Sequence, residues 1–599
     1  MYETDDDNFA ESLDVFIMGE PRKFLLPNAK NLTHNPAQHF GQISMWPRGF
    51  PLDHLGIEPV RDYTLCTTRV PTIQQGLVYA DPDLDAMFRM IHNIHSGITE
   101  LDFDPNAPVI VYPENVYTPF NSQNTFYHYR AFWALFLFKT VTDREMDIYR
   151  SYWAQRMMWM TSDRLAYLPP ATIQKRNMWH KNIEDVRYET RLYSSMSKFI
   201  AHLNTFSCSE AFFFDCLTNS VRSLYDAGFI EYEDIAFMQA WVHDLASVGY
   251  APPTLHKQKS SCTLDDAINV VYYPVEQKVK VNYLKEHIIP QDSDCRENIQ
   301  KTVTHVCGYE SGANILHRME TTEKVKHILL VVAVKSFDVI PALNAYYRPH
   351  FPLILYCGSQ RISKTDWEKL RVTYVNVGKR VDATTCVGVA MDMNYKVDGY
   401  LFTTQNTMVS FESVKQATHR RGDVWLNKAG IVLPSDSTVQ DLCKNSQISC
   451  STPNSVQLEN AVVQAMLKAA TSDSLKKNIN TCSKNVNDFL TSRGQNARMT
   501  TDYILYIPNT DRDTFEILRK VFSDLEASLS DKTFLVPLLM ECLHGRDAVH
   551  LDTSAPPLTP STSLSLNQKT SNLFPFLFKD IYKQSLYAGV KLFCTLIAT

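Results

Sequence analysis

The amino-acid sequence predicts an α/β fold built from two successive α/β regions, and three observations predict it. Residues 1 to about 130 alternate short apolar runs with Pro and Asn, which is typical of strands joined by ordered loops. From about 131 to 250 the apolar residues recur at helical spacing. Three continuous apolar runs between 326 and 405 are typical of buried, mainly parallel strands. At 599 residues the chain is also too long for one hydrophobic core.

Bulk composition excludes several classes of protein. Hydrophobic residues make up 44% of the chain and charged residues 21%, as in ordinary globular proteins. The net charge of -6 gives no general attraction to nucleic acid, which binds concentrated basic surfaces. The 13 cysteines include no CxxC pair, so no zinc module is expected, and their odd number leaves the redox compartment open. No run reaches the roughly 18 to 20 apolar residues of a membrane-spanning helix.

Local signals predict several helices. Asp81 is placed as an N-cap with Pro82 at the first helical position of a short helix. Thr142 and Glu145 form a capping-box pattern ahead of a helix with one apolar face. Two further helices are predicted over the ranges Phe212 to Ala227 and Tyr232 to Val248.

The second region begins after a stretch without clear periodicity. Strands are predicted in the runs Lys326 to Ser336, Phe351 to Gly358 and Val397 to Gln405. Residues 455 to 545 are rich in helical pattern, with one strand at Tyr503 to Pro508. The Ser/Thr/Pro-rich stretch 553 to 571 is typical of a flexible linker.

Several separate stretches resemble one known family. VPTIQQGLVYADPDLDAMFRM, FDPNAPVIVYPENVYTPFNSQNTFYHYRAFWALF, RSYWAQRMMW, DIAFMQAWVHDLASVGYAPP and HFGQISMWPRGFPLDHLG look like the STELLO-type glycosyltransferases of plant Golgi membranes, a group also found in nematodes and other animals. The resemblance is dense from residue 1 to about 256. It is weaker from about 324 to 425 and from about 500 to 545, and it is absent from the tail.

The resemblance implies a GT-A-like glycosyltransferase domain, in which a strand delivers an Asp-x-Asp motif to a nucleotide-sugar site. YETDDDN matches that motif, with Asp5 and Asp7 in the two Asp positions. A divalent ion such as Mn²⁺ or Mg²⁺ would bridge these carboxylates and the donor diphosphate, because hard cations select oxygen ligands. Side chains two apart on an extended strand share one face, so Asp6 would point elsewhere. The alternative is a solvated acidic terminus.

Candidates for the substrate side lie in two loops. Glu114 in YPENVYTPFNSQN is the first candidate for the general base of an inverting transfer, with Asn121, Gln123 and Asn124 as hydrogen-bonding partners of sugar hydroxyls. A retaining transfer would need no such base, and the same loop is also typical of a turn that satisfies its own backbone. In WPRGFPL, Trp46 would be a platform for a sugar face and Arg48 a diphosphate partner, or Trp46 would be a core anchor.

The second region resembles the carboxy-terminal part of the same family, where the strand reading like GYLF leads into acidic residues. Here Thr403-Thr404-Gln405-Asn406 follow that strand, so a metal site is not expected in this copy. The predicted domains are 1–256, lacking an amino-terminal nucleotide-binding portion; a connector, 257–323; the second α/β domain, 324–430; its helix-rich continuation, 431–550; and a linker and tail, 551–599.

The leading hypothesis is a glycosyltransferase that uses a nucleotide-sugar donor and a glycan or glycoprotein acceptor. By resemblance it would act in the Golgi, and the sequon Asn31-Leu-Thr33 is compatible with a secretory lumen. We expect this chain to be an amino-terminally truncated member, with a membrane anchor only in the full-length form. The alternative is a non-catalytic scaffold with the same fold that binds secretory-pathway proteins or glycans.

Overall fold

The described residues of the computed structural model fall into two compact units. The first unit is Met1–Asp292 with Asp392–Lys396, and the second is Ser293–Met391 with Val397–Thr599. The described residues are 1–5, 8–10, 16–29, 32–91, 99–174, 182–256, 262, 267–277, 279–281, 299–301, 303–304, 315, 323–364, 368, 371–405, 407, 409, 411–420, 422–423, 425–427, 504–524 and 549–551. Asp6, Asp7 and Asn31 lie outside these ranges, as do most of the predicted connector, of the segment 431–550 and of the tail.

The first unit is built on a mixed β-sheet. Its strands are β1 (Tyr2–Thr4), β2 (Asn8–Ala10), β3 (Arg22–Pro27), β4 (Leu32–Thr33), β5 (Asp62–Thr68), β6 (Ile73–Ala80), β7 (Thr99–Leu101), β8 (Ile110–Val111), β9 (Val116–Tyr117), β10 (Asn124–Tyr127), β11 (Leu165–Gln174), β12 (Ile268–Val271) and β13 (Val279–Val281). The parallel pair β6 and β11 forms its centre. β10 extends the sheet beyond β6, and β8, β3, β5 and β12 follow on the side of β11. Strands β4 and β9 form a separate parallel pair.

Strands β1 and β2 pair with different strands of the sheet. β1 pairs with β10, with Tyr2 opposite Phe126, and β2 pairs with the end of β11, with Asn8 opposite Gln174. The sequence predicts that the strand carrying Tyr2 has lost its neighbours, and that prediction is wrong for the edge that β10 covers. The segment from Asp5 to Asp7 therefore connects two strands that are held in place by the sheet.

Strand β11 was not predicted, because residues 131 to 250 have a mainly helical pattern. Its ten residues include Pro169 and Pro170, which lack the backbone N–H that a ladder needs. The pairing with β6 shifts register between Leu168 and Thr172, so the prolines lie at an irregularity that needs no N–H from them.

The described helices of the first unit are α1 (Pro36–His39), α2 (Ala86–Ile91), α3 (Met146–Trp159), α4 (Asn182–Tyr188), α5 (Thr190–Thr205), α6 (Phe213–Asp226) and α7 (Tyr232–Ser247). α6 and α7 agree with the prediction to within one residue at each end. In α3 the prediction of one buried face is wrong: nearly every side is buried, including Asp147, Arg150 and Gln155. A buried helix with charged side chains must supply them with partners.

The predicted start of α2 is also wrong. The helix begins at Ala86, four residues after Pro82, and Asp85 is its N-cap: the carboxylate accepts hydrogen bonds from the amides of Met87 and Phe88 at 3.0 and 3.1 Å. Asp81 instead forms an ion pair of 2.7 Å with Arg89.

The second unit contains the parallel sheet that the three apolar runs predict. Strands β14 (Ile328–Ala333), β15 (Ile354–Gly358), β16 (Thr373–Asn376) and β17 (Gly399–Thr404) are parallel in the order β16, β15, β14, β17, and β19 (Leu505–Pro508) adds an antiparallel neighbour to β17. Its other described elements are α8 (Ile340–Tyr347), α9 (Ala383–Asp392), α10 (Phe411–Ala417), β18 (Trp425–Asn427), α11 (Arg512–Asp524) and β20 (Val549–Leu551).

In the described part of the chain, three cysteine pairs are bonded as disulfides: Cys66–Cys262, Cys208–Cys216 and Cys357–Cys386. Within the described part of the chain, no helix combines the length and the apolar character that crossing a membrane requires.

Candidate functional site

Asp5 follows β1 directly and is held by one backbone carbonyl and one side-chain amide of the sheet. Its backbone N–H donates to the Gln123 carbonyl oxygen at 3.3 Å, and Gln174 Nε2 donates to its carboxylate at 3.3 Å. Asn8, on the other side of the acidic run, donates its side-chain amide to the same Gln123 carbonyl. The carboxylate at the strand end is therefore oriented by its neighbours.

Gln123 links this strand end to the interior. Its side chain donates to Gln174 Oε1 and accepts the N–H of Asp83 at 3.2 Å. Gln123 and Gln174 are both buried. Because a buried amide that loses a partner costs free energy, this chain of bonds fixes the loop before β10 relative to Asp5.

Arg48 is the centre of a buried ion-pair cluster. Its guanidinium binds the Asp83 carboxylate at 2.6 Å and the Asp147 carboxylate at 2.9 Å, both in the forked geometry that suits Arg. Burial opposes its charge, but attraction to Asp147 and Asp83 outweighs this and raises the pKa of Arg48 above its ordinary value. Asn121 Nδ2 donates to Asp83 at 2.9 Å and the N–H of Ser122 to Asp147 at 3.2 Å.

A second arginine ties this cluster to the first strand. Arg150, fully buried on α3, binds both carboxylate oxygens of Glu3 on β1 at 3.2 and 2.9 Å and the hydroxyl of Ser122 at 2.8 Å. Glu3 precedes Asp5 by two residues, so the Glu3–Arg150 ion pair lets helix α3 position Asp5. Arg150 therefore serves as a structural ion-pair partner of Glu3.

Asn124 lies at the beginning of β10, where it contacts β1 and β6. Tyr2 donates its hydroxyl to Asn124 Oδ1 at 2.9 Å, and Asn124 Nδ2 donates to the Leu77 carbonyl at 3.1 Å. Gly76 makes room for this amide, since a Cβ there would lie 2.4 Å from Asn124 Nδ2. In this structure both the oxygen and the nitrogen of the Asn124 amide are therefore hydrogen-bonded to neighbouring strands.

Trp46 borders a cavity of about 390 Å³ whose lining residues all come from the segment 33–60. The indole is half-buried and packs edge-on against Phe88, with the ring centroids 4.6 Å apart. Beneath it lies Asp85, whose pKa is raised to about 7 by burial and by the nearby charge of Glu189, against the lowering effect of the helix amides and of Trp46.

Glu114 lies apart from these contacts. It occupies the tight turn between β8 and β9, next to Asn115, which has a positive φ of 66°. Its charge acts on Arg156 and Arg164, and among the described residues its buried Oε1 has no hydrogen-bond partner. The contacts of the described residues thus connect Asp5, Arg48, Asn121 and Gln123, and they do not include Glu114.

Comparison with known proteins shows similarity to one family. Residues 144–306, which include α3 and β11, match the family model described as STELLO glycosyltransferases. The probable glycosyltransferase STELLO1 of Arabidopsis thaliana is 31% identical over 259 residues, and STELLO2 of the same plant is 30% identical over 257 residues. Each alignment covers 42% of this chain and 33% of the relative.

Part of this chain, residues 144–306, is similar to the STELLO glycosyltransferases.

The chain spans about a third of the length of the two STELLO relatives it matches. The family match includes the helix that carries Asp147 and Arg150 and the strand that ends in Gln174. It thus covers residues that orient the acidic run, while the run itself lies before residue 144.

Two features of the site could not be predicted from the sequence: the ion-pair partners of Arg48 and the position of Gln174. Asp83 and Asp147 lie 35 and 99 positions from Arg48, and pairing at such separations leaves no periodic pattern. Gln174 lies in an unpredicted strand. A weak signal did exist for Asp147 and Arg150, because charged residues at spacing three share one helix face.

The donor set at the acidic run is compatible with a hard cation but is only partly described. Asp5 supplies a carboxylate, an oxygen donor of the kind that Mn²⁺ and Mg²⁺ select. The group of Gln174 that faces it is the amide nitrogen Nε2, which donates a hydrogen bond to Asp5 and is not a cation ligand. Within the described ranges no group of three or more His, Cys, Asp or Glu side chains could hold a metal ion. Asp7, the second predicted ligand, lies outside them.

Proposed function

We propose that this protein is a member of the STELLO family and transfers a sugar from a nucleotide-sugar donor to a glycan or glycoprotein acceptor, with Asp5 and Asp7 binding Mn²⁺ or Mg²⁺. The observation that carries the proposal is the position of Asp5 in a chain similar to this family: a carboxylate directly after a strand, oriented by Gln174 and by the Gln123 carbonyl. When bound, the ion would neutralise charge on the departing diphosphate.

The residues around Asp5 act by positioning. Glu3 and Arg150 hold β1, and the cluster of Arg48, Asp83 and Asp147 holds the loop that contains Asn121 and Gln123. A diphosphate partner needs a guanidinium with free donors, whereas Arg48 already forks onto two carboxylates. We therefore propose that Arg48 positions this loop and does not bind the diphosphate. Asn121, Gln123 and Asn124 would bind sugar hydroxyls only if the substrate replaced the hydrogen-bond partners that they have in this structure.

For an inverting reaction Glu114 is the proposed general base. Its Oε1 has no hydrogen-bond partner among the described residues, and a base must be able to accept a proton from the acceptor hydroxyl. The charge of Glu114 acts on Arg156 and Arg164. A retaining reaction would leave Glu114 with a structural role only.

The secretory pathway is the proposed location. Three disulfides in the described residues are characteristic of proteins that fold in an oxidising lumen. The Golgi assignment rests on the resemblance to the plant family.

The test is nucleotide release from a panel of nucleotide sugars by the full chain with Mn²⁺, compared with the variant Asp5→Asn with Asp7→Asn. We expect the double variant to lose at least 100-fold in rate, because the ion would have no carboxylate ligand. Asp244→Asn is the matched control, since the Asp244 side chain is 74% exposed and remote from the acidic run in sequence. Turnover that survives the double substitution would remove the metal role.

A non-catalytic scaffold is the second candidate, and one observation favours it. In the second unit β17 ends at Thr404 and is followed by Gln405, neutral groups that replace carboxylates poorly at a divalent ion. A scaffold would show no turnover with any nucleotide sugar, and its association with partners would be unaffected by the double substitution.

A further inference from the structure

The cavity beside Trp46 has the wall of a sugar site. Trp46, Phe50 and His54 provide ring surfaces, and Asn35 and Gln38 add amides. Its volume of about 390 Å³ lies within the range of about 300–1,000 Å³ that is usual for small-molecule sites. Flat aromatic surfaces next to neutral polar groups suit a molecule with one apolar face and several hydroxyls.

The charge of the wall argues against a nucleotide. Among the described residues that line the cavity there is no Lys or Arg, and the one carboxylate, Glu58, is exposed. Burial lowers the pKa of His34 to about 3, with smaller contributions from the charges of His39 and Arg61, so this imidazole is neutral at physiological pH. The charge of a diphosphate in this cavity would therefore not be neutralised by any described lining side chain.

Two polar atoms of the wall point to a ligand. Thr33 is 3% exposed, and among the described residues its Oγ1 has no hydrogen-bond partner. The buried Nδ1 of His54 likewise has no hydrogen-bond partner among the described residues. Buried polar groups are nearly always paired, so an unpaired hydroxyl that lines a cavity is the expected mark of a site that a polar ligand fills.

We propose that this cavity binds one neutral sugar unit of the acceptor glycan, with the ring against Trp46 and Phe50 and the hydroxyls bonded to Thr33 Oγ1 and His54 Nδ1. The identity of the sugar as part of an acceptor rests on the proposed function. Binding itself requires neither donor nor metal.

The experiment measures binding of methyl glucoside, methyl galactoside and methyl mannoside to the full chain by saturation-transfer NMR. We expect at least one to bind, and Thr33→Val to weaken it at least fivefold. Thr33 lies in β4, where Val is well tolerated, and its hydroxyl has no internal bond to lose, so the melting temperature should not fall.

Thr72→Val is the matched control. Thr72 is also 3% exposed with an unpartnered Oγ1, but it does not line the cavity, so its variant should bind sugar like the wild type. The proposal is overturned if none of the three glycosides binds, or if Thr33→Val and Thr72→Val behave alike.

Failure of the enzymatic proposal gives a different result. Sugar binding that persists in Asp5→Asn with Asp7→Asn, in a protein without turnover, supports the cavity and removes the transferase. Turnover in a protein whose acceptor KM is unchanged by Thr33→Val removes the cavity and leaves the transferase.

Discussion

Two buried histidines make the first unit sensitive to acid. His39 Nε2 donates to the Pro108 carbonyl at 2.8 Å, and Nδ1 lies 3.1 Å from the Tyr63 hydroxyl. Burial lowers the pKa of His39 to about 3, against the opposing effect of the Pro108 carbonyl, and burial lowers that of His34 to about 3 as well. Because the ordinary value is about 6.5, the unfolded chain takes up both protons first as the pH falls.

We therefore expect stability that is fully present above about pH 6.5 and is lost as the pH falls from there toward 3. Each histidine can contribute at most about 1.4 kcal/mol per pH unit, so wild type should lose up to about 2 kcal/mol more than His39→Gln between pH 6.5 and 5. Urea unfolding at pH 7.5 and 5 measures this difference. His243→Gln, at a side chain 80% exposed, should follow the wild type; identical pH dependence in His39→Gln would contradict the prediction.

Individual site residues were predictable only where chemistry and local sequence agree. Asn121 and Gln123 stand out as amides in a loop beside a strand, and the structure connects them to Asp5 through Asp83 and Gln174. The partners of Arg48 were not predictable, because an ion pair between distant positions is a property of the folded chain. The proposed functional roles of these residues remain predictions.

At the scale of elements, helices with a continuous apolar face were predicted correctly, whereas elements whose apolar pattern is interrupted or preceded by proline were not. The helices α6 and α7 each have one continuous apolar face, and both were predicted to within a residue. Pro169 and Pro170 concealed strand β11, although the register shift beside them accommodates both. The Asp81-Pro82 pair resembles a helix start, but Asp81 is used by Arg89 and the helix begins later.

The cap of α2 provides a prediction at the element scale. Burial, and then the charge of Glu189, raise the pKa of Asp85 to about 7, so the folded state holds this proton more tightly than the unfolded state does. The stability that comes from the neutral form is therefore fully present below about pH 4 and is lost as the pH rises from there through 7. Asparagine caps as well as aspartate and carries no charge, so Asp85→Asn should be more stable than wild type at pH 8, by up to about 4 kcal/mol.

At pH 6 the advantage of Asp85→Asn should be smaller by about 1 kcal/mol, because the folded protein then keeps its proton on Asp85 whereas the unfolded chain releases that proton near pH 4. Melting temperatures at pH 6 and 8 measure this dependence. Asp81→Asn is the matched control from the same segment: it breaks a buried pair with Arg89 and should destabilise at both pH values. Equal effects of Asp85→Asn at pH 6 and 8 would contradict the assigned shift.

At the scale of the whole molecule, the sequence predicted two α/β regions, and the structure confirms the mixed α/β class. The buried strands β14, β15 and β17 correspond to the three continuous apolar runs, since a strand covered on both faces has no polar alternation. The separate sheet neighbours of β1 and β2 were not predictable, because pairing with β10 and β11 joins positions more than 120 residues apart.

The disulfides were also beyond sequence reasoning, and they allow a prediction with a ranking. Thirteen cysteines permit many pairings, and only the fold shows that Cys357 on β15 faces Cys386 on α9, with 5.8 Å between Cα atoms. A crosslink limits the unfolded chain more as the separation of its cysteines grows. The separations are 29 for this pair and 8 for Cys208–Cys216.

The chain-entropy relation gives about 3–4 kcal/mol for Cys357–Cys386 and about 2–3 kcal/mol for Cys208–Cys216. We expect the Ser–Ser variant of the first pair to be the less stable of the two in urea, with protein made in an oxidising compartment. Adding dithiothreitol to the wild type should lower stability by at least as much as either variant, because it opens both of these bonds and Cys66–Cys262 as well. Alkylation before and after reduction counts the bonded cysteines, and a count that does not change on reduction would contradict both the pairing and the proposed secretory location.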